Sequence, residues 1–160
     1  LDKKIKLAVA IVVLVLATAY ASVRFLALMY TNRGTELYSQ GKLDEAMVQY
    51  ERALKVSPGF KPARTYLRDV CIEKADSITL QNEHVEAERL YKRAIDLDAD
   101  ANDVHWKLAT TYWRQGKKAE ALASLEEHLK RKLNDELAIS LQRILKRRQD
   151  TEDRRQDSEF

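Results

Sequence analysis

Residues 38–58 read YSQGKLDEAMVQYERALKVSP, and residues 112–129 read YWRQGKKAEALASLEEHL. In both stretches an alanine follows a glycine at five residues, and a large apolar residue follows that alanine at four. Extended outward, this spacing recurs three times, which indicates a repeated structural unit. The copies are Gly34, Gly41, Ala46, Tyr50, Ala53 and Pro58; Ala75, Asn82, Ala87, Tyr91, Ala94 and Ala99; and Ala109, Gly116, Ala121, Leu125, His128 and Leu133.

Each position in the copy has a role in a pair of antiparallel helices. Gly41, Asn82 and Gly116 stand where the first helix must end, because glycine and asparagine readily take the left-handed conformation of a helix C-cap. The small residue seven positions earlier lets the two helices approach closely, and the bulky residue nine positions later fills the space beside it. The spacing therefore predicts three helical hairpins.

This pattern resembles the tetratricopeptide repeat, a helix hairpin of 34 residues. The resemblance implies an all-α, right-handed solenoid with repeats at about residues 27–60, 61–101 and 102–135. The middle copy departs from the family: it lacks the terminal proline and follows seven surplus residues, so its first helix is expected to run from about Pro62 to Leu80. In the third copy, His128 stands where the family prefers alanine.

Leu137, Leu141, Ile144 and Leu145 follow the last copy at helical spacing. Residues 136–149 are therefore expected to form an amphipathic capping helix that closes the repeat domain, residues 27–149. The remaining residues, 150–160, contain one apolar residue and are expected to be a disordered polar tail.

The N-terminal part of the chain is strongly apolar. Residues 7–23, LAVAIVVLVLATAYASV, carry no charge and lie between Lys6 and Arg24. As a helix they span about 25 Å, the short end of what crosses a bilayer. We expect residues 1–26 to be a transmembrane anchor whose helix continues into the first repeat, since no Pro- or Ser-rich linker follows.

The alternative for this segment is a secretory signal peptide, because Ala19-Tyr20-Ala21 before Ser22 matches a small-residue cleavage site. In the anchored form, lysines at positions 3, 4 and 6 favour a cytoplasmic N-terminus with the repeats on the opposite side, which is periplasmic in a bacterium. Arg24 and Arg33 oppose that orientation.

The sequence offers no chemistry of its own. The net charge of +3 is dispersed rather than gathered into a nucleic-acid stripe, and Cys71 is the only cysteine. His84, His105 and His128 are too widely spaced for a metal site, and His105 is expected to be a packed or edge residue. No nucleophile motif or phosphate loop occurs, so we expect no catalytic residue, metal, cofactor or small-molecule substrate.

The resemblance implies a protein-binding groove lined by the first helix of each hairpin. Trp106 and Trp113, seven residues apart, have the composition of a binding hot spot, with packing under the capping helix as the alternative. The expected groove residues are Thr31, Thr35, Tyr38, Ile72, Asp76, Thr79, Trp106, Thr110, Trp113 and Arg114. Family members that clamp a chaperone's C-terminal carboxylate use Lys, Asn and Arg, whereas Thr31 and Thr35 hold the first-repeat places here. The resemblance therefore implies that this clamp is absent.

The expected function is a membrane-anchored scaffold that recruits or organises a protein partner, either an extended segment or a helix. One alternative is an accessory or assembly subunit of a larger membrane complex, since small residues along the span permit close helix contact. The other is an exported soluble module released by signal cleavage.

Overall fold

The computed structural model describes residues 3–98 and 103–157, which form seven α-helices. The junction predicted between the second and third repeats, at residues 101 and 102, and position Ala99 lie outside the described residues. The helices are α1 (Lys3–Ser39), α2 (Leu43–Val56), α3 (Lys61–Leu80), α4 (His84–Leu97), α5 (Val104–Arg114), α6 (Lys118–Arg131) and α7 (Glu136–Asp157).

The chain divides into two compact units, and the boundary between them falls within α3. The first unit ends at Val70 and contains α1, α2 and the start of α3; the second begins at Cys71. The expected long first helix of the middle repeat is confirmed, because α3 begins at Lys61 and ends at Leu80. No glycine or proline interrupts it after Pro62, and proline is tolerated in the first turn of a helix.

Three turns of the same construction end α1, α3 and α5. Gly41, Asn82 and Gly116 have φ values of 74°, 65° and 76°, so the left-handed C-caps predicted from the sequence are confirmed. In the first turn the Gly41 N–H donates to Tyr38 O at 2.9 Å and the Lys42 N–H donates to Leu37 O at 3.0 Å. The other two turns repeat both bonds, which satisfies the last carbonyls of each helix.

The first unit is held by a seam of small residues against large ones. Gly34 lies where a methyl group would come within 2.5 Å of the Tyr50 ring, which leaves room for no side chain. A cluster of Ala27, Ala53, Phe60 and Ala63 extends this seam. The predicted close approach of α1 and α2 is therefore confirmed, and it depends on the missing side chain at residue 34.

The second unit repeats the seam with different pairs. Ala75 and Ala109 have no exposed surface, and Tyr91 and Leu125 have 2% and none exposed. Its other fully enclosed apolar residues include Leu90, Ala121 and Leu145.

The last helix differs from its prediction in two respects. The helix α7 runs to Asp157, so the expectation of a disordered tail from residue 150 is wrong as far as Asp157, while residues 158–160 lie outside the described residues. The stretch from residue 150 to residue 157 lacks glycine and proline, and half of it is Arg, Gln or Glu, which continue a helix readily. Of the predicted apolar stripe, Leu141 and Leu145 are buried, whereas Leu137 and Ile144 are exposed.

The first helix, α1, has two halves of different character. Every described residue before Ala27 is exposed, whereas Ala27, Thr31, Gly34 and Leu37 are buried in the first unit. An 18-residue window of this helix has a mean hydropathy of 2.2 with none of it buried, so its length and composition are sufficient to cross a membrane. The expectation that the apolar helix continues into the first repeat is confirmed.

Candidate functional site

In the first unit, the three expected groove residues differ in their exposure to solvent. Thr31 is 2% exposed, and its hydroxyl donates to Ala27 O at 2.8 Å. It shares the buried face of α1 with Ala27 and Gly34, so assigning it to an open groove is wrong. Thr35 and Tyr38 are exposed. A binding surface in this unit can therefore use Thr35 and Tyr38 but not Thr31.

Tyr38 opens onto a cavity of about 190 Å³ that the sequence did not predict. We call it the tyrosine pocket. Its lining residues are Tyr38 from α1, Tyr50 from α2, and Tyr66, Asp69 and Val70 from α3. Only Tyr38 was predicted to face a binding groove. Tyr66 belongs to the seven surplus residues before the middle copy, which the repeat spacing does not place.

In the second unit, Asp76 is used inside the fold. Its Oδ1 accepts a hydrogen bond from the Tyr91 hydroxyl at 2.6 Å, and its Oδ2 pairs with the Lys107 ammonium. These contacts join α3, α4 and α5. Burial and the bond to Asp76 raise the pKa of Tyr91. Both carboxylate oxygens of Asp76 are thus bound within the chain. The role of Asp76 in the fold is to connect helices, rather than to serve as an open contact for a partner.

The two predicted threonines of this unit and Ile72 are half-buried on their helices. Ile72, Thr79 and Thr110 are partly exposed. The Thr79 and Thr110 hydroxyls donate to carbonyls of their own helices, at 2.7 Å to Ala75 O and 2.8 Å to Lys107 O. Their methyl groups and the Ile72 side chain remain as the contact surface.

The two tryptophans lie in different environments. Trp113 is 42% exposed, and the neighbouring Arg114 is exposed as well. Trp106 is half-buried, with its ring centroid 6.0 Å from that of His128 on α6. Trp113 and Arg114 are therefore available to a partner, whereas Trp106 is committed in part to its own hairpin.

His128, which replaces the alanine expected at this position, links α6 to the start of α7. It is 1% exposed, and its Nε2 lies 2.9 Å from Asp135 Oδ2. The other oxygen of Asp135 accepts the Ala138 N–H at 3.1 Å, which caps α7. The hydrogen bond with His128 and the cap lower the pKa of Asp135. His105 is 9% exposed, so the expected packed position is confirmed.

An ion cluster around Glu88 on α4 connects the third hairpin to the second. The sequence pattern did not predict it. Glu88 Oε1 accepts from Lys92 at 2.7 Å, and Oε2 accepts from Lys117 at 2.7 Å and from Gln115 at 3.1 Å. Both ammonium groups also lie over the Tyr112 ring, at 5.5 and 5.6 Å from its centroid. Burial acts to raise the pKa of Glu88, but the three hydrogen bonds outweigh it and lower the pKa to about 2.

This cluster predicts a loss of stability in acid. Because the folded-state pKa of Glu88 lies below its ordinary value of 4.5, its contribution is complete above about pH 5 and is lost as the pH falls towards 2. Glu88→Gln should cost about 1–2 kcal/mol at pH 7 and flatten the decline between pH 5 and pH 2. Urea unfolding at pH 7, 5 and 3, followed by circular dichroism, measures both effects.

Glu126→Gln is the matched control, since Glu126 is half exposed and its carboxylate lies 3.8 Å from the Lys146 ammonium. That change should leave the unfolding free energy within about 0.5 kcal/mol of wild type at each pH. Equal curves for Glu88→Gln and wild type would show that the cluster contributes nothing.

No group of three or more His, Cys, Asp or Glu side chains among the described residues is arranged to hold a metal ion. The described surface instead offers separate exposed aromatic and basic side chains on first helices of hairpins. Fold and surface together define a helical-hairpin repeat module for protein–protein interaction.

Comparison with known proteins agrees with this class. A family model described as tetratricopeptide repeat matches residues 27–60, and a second of the same description matches residues 79–145. Together they cover more than half of the chain, which therefore contains tetratricopeptide repeats. The second match crosses α4, α5 and α6 and ends within α7.

Individual relatives are similar over shorter or more divergent stretches. Tetratricopeptide repeat protein 14 of Mus musculus is 33% identical over 79 residues, which are 48% of this chain and 10% of the mouse protein. The chain thus spans about a tenth of the length of the curated relative that it matches.

Two solved structures share the fold at low identity. The N-terminal domain of stress-induced protein-1 from C. elegans is 14% identical, with a TM-score of 0.51 over 78% of this chain and 97% of that one. The Sgt2 tetratricopeptide domain from Aspergillus fumigatus is also 14% identical, with a TM-score of 0.50 over 80% and 82%.

Proposed function

We propose that this protein is a membrane-anchored scaffold that holds a protein partner at the bilayer surface. One observation carries the proposal: α1 is a single helix whose first half is apolar and wholly exposed and whose second half is the first helix of the first hairpin. In a soluble repeat module such an apolar helix would be exposed to water, which is unfavourable, whereas a bilayer would cover it.

The anchor would end at Arg24. This is the first charged residue after the apolar segment, and its guanidinium lies 5.7 Å from the Tyr20 ring centroid and 5.3 Å from that of Phe60, just before α3. Aromatic and basic side chains favour the membrane interface. Ala27, three residues on, is already buried in the first hairpin. The anchor would therefore pass into the repeat without a hinge, with lysines 3, 4 and 6 at its cytoplasmic end.

The partner would be a protein segment, extended or helical. Tyr38, Trp113 and Arg114 are exposed on the first helices of hairpins, and Tyr, Trp and Arg are the residues most enriched at binding hot spots. A carboxylate clamp remains excluded from the proposal, because Thr31 and Thr35 stand at its positions in the first repeat. The chain itself would carry no catalysis.

Membrane extraction tests the anchor. Wild-type protein should stay in the membrane pellet after alkaline carbonate washing, and Val12→Arg with Leu14→Arg should shift most of it to the supernatant, because each central arginine costs about 3 kcal/mol of insertion. Val48→Arg is the control: Val48 is 44% exposed on α2, so this variant should remain in the pellet.

Two results would contradict the anchor: wild-type protein in the supernatant, or a mature N-terminus at Ser22, which identifies an exported soluble module.

Photo-crosslinking in intact membranes tests the partner. A crosslinker at Trp113 should yield a defined protein adduct. Equal adducts from Ala17, in the span, would instead indicate a subunit packed laterally within a membrane complex.

A further inference from the structure

The tyrosine pocket has aromatic walls. Tyr50 is 1% exposed, and its hydroxyl lies 3.4 Å from Thr35 Oγ1. Its ring centroid is 5.7 Å from that of Tyr66, with the ring planes tilted by 31°. Tyr38 and Tyr66 are 40% and 43% exposed, so they line the part of the pocket that solvent reaches. One ring is fixed within the fold, and two are accessible to a ligand.

The lining of the pocket carries one formal charge, the carboxylate of Asp69. The Arg68 guanidinium meets Asp69 Oδ1 at 2.7 and 2.8 Å, but Arg68 does not line the pocket. Faces of aromatic rings are themselves electron-rich, and they attract a cation held within about 6 Å. A carboxylate beside three tyrosines therefore favours a cation over an anion or a neutral apolar group.

The size of the pocket limits what it holds. Its volume of about 190 Å³ is below the roughly 300 Å³ at which sites for drug-sized molecules begin. It suits the charged end of one long side chain, with the chain of the partner passing outside.

We propose that the tyrosine pocket binds an arginine or lysine side chain of the protein partner, with the cation between the rings of Tyr38 and Tyr66 and beside Asp69. The proposal rests on the protein-binding function above and adds the chemistry of one contact: a partner segment with a basic residue. Arginine is the better fit, because its planar guanidinium stacks on aromatic faces.

Titration of the full chain in detergent micelles with acetyl-Gly-Ser-Arg-Ser-Gly-amide tests the proposal. The probe should shift the ring signals of Tyr38 and Tyr66 in spectra of tyrosine-labelled protein, with millimolar affinity. The same peptide with citrulline, a neutral isostere of arginine, should produce no saturable shift. Tyr66→Leu should weaken arginine-peptide binding about fivefold, and Asp69→Asn should weaken it by a similar factor.

Tyr66→Phe should bind as wild type does, since it keeps the ring face, and Tyr66→Leu keeps the apolar bulk without one. Val48→Ala on α2 is the control outside the pocket and should leave binding unchanged. Helical circular dichroism confirms that each variant is folded. Equal shifts with the citrulline peptide, or wild-type affinity in Tyr66→Leu, would overturn the proposal.

This experiment is independent of the test of function. Saturable binding of the arginine peptide without any adduct at Trp113 would support the proposed ligand of the pocket and contradict the proposed scaffold function. An adduct at Trp113 together with equal binding of both peptides would support the scaffold function and contradict the proposed ligand of the pocket.

Discussion

Gly34→Leu should unfold the first hairpin or destabilise it by about 3 kcal/mol or more, the upper range for a side chain forced into a packed core. Even a single methyl group at this position would lie 2.5 to 3.0 Å from three atoms of the Tyr50 ring. Movement of that ring is restricted, because it is 1% exposed and packed against Tyr66. Thermal and urea unfolding of the chain, followed at 222 nm, measures the loss.

Gly59→Leu is the matched control, since nothing lies within 4 Å of a side chain added there. It should change the unfolding free energy by less than about 0.5 kcal/mol. A double-mutant cycle separates the mechanism: Gly34→Ala with Tyr50→Leu reproduces the small and large pair of the third repeat, Ala109 with Leu125. The double variant should be more stable than the sum of the single changes predicts. Wild-type stability in Gly34→Leu would show that the two helices are not in close contact.

Tyr91→Ala should destabilise the second unit by about 3–5 kcal/mol, as for other large aromatic truncations in a core. Tyr91 is 2% exposed, and its hydroxyl donates to a carboxylate that α5 also holds through Lys107. Removing it empties the seam beside Ala75 and takes one of two partners from Asp76. Tyr91→Phe removes only the hydrogen bond and should cost about 1.5–3 kcal/mol, the range for a bond to a charged group.

The same unfolding measurements rank the two Tyr91 variants against Val85→Ala. Val85 lies on the same helix but is 74% exposed, so this control should be neutral within about 0.5 kcal/mol. Equal losses in Tyr91→Phe and Tyr91→Ala would show that the hydrogen bond, and not the ring, carries the contribution. No loss in either variant would contradict the assigned seam.

Predictions from the sequence were most accurate where the cause is local. A left-handed residue ends a helix by its own backbone preference, so Gly41 and Gly116 could be placed by spacing alone, and Asn82 followed from the same interval. The length of α3 followed from seven surplus residues that contain no helix breaker after Pro62. The prediction failed at residues 150–157, where low apolar content was taken as disorder although no glycine or proline ends the helix there.

The candidate site was less predictable. Repeat geometry places a residue on the first helix but does not say which neighbours cover it. Thr31 and Thr35 are one turn apart, yet one is buried in the first hairpin and the other is exposed. Trp106 and Trp113 share a helix face, but only Trp106 lies beside His128. The tyrosine pocket is lined by side chains from three helices, and only one of these side chains, Tyr38, was predicted from the sequence.

The sequence by itself determined that the chain is a series of helical hairpins, where each first helix ends, and that one unbroken helix joins the apolar segment to the first repeat. These properties depend on backbone preference and on residues within one or two turns of each other. Tertiary structure alone decided the partners of Asp76, Glu88 and His128 and the walls of the tyrosine pocket. Most of those contacts join residues 12 to 31 positions apart, so helix packing, rather than any local pattern, brings them together.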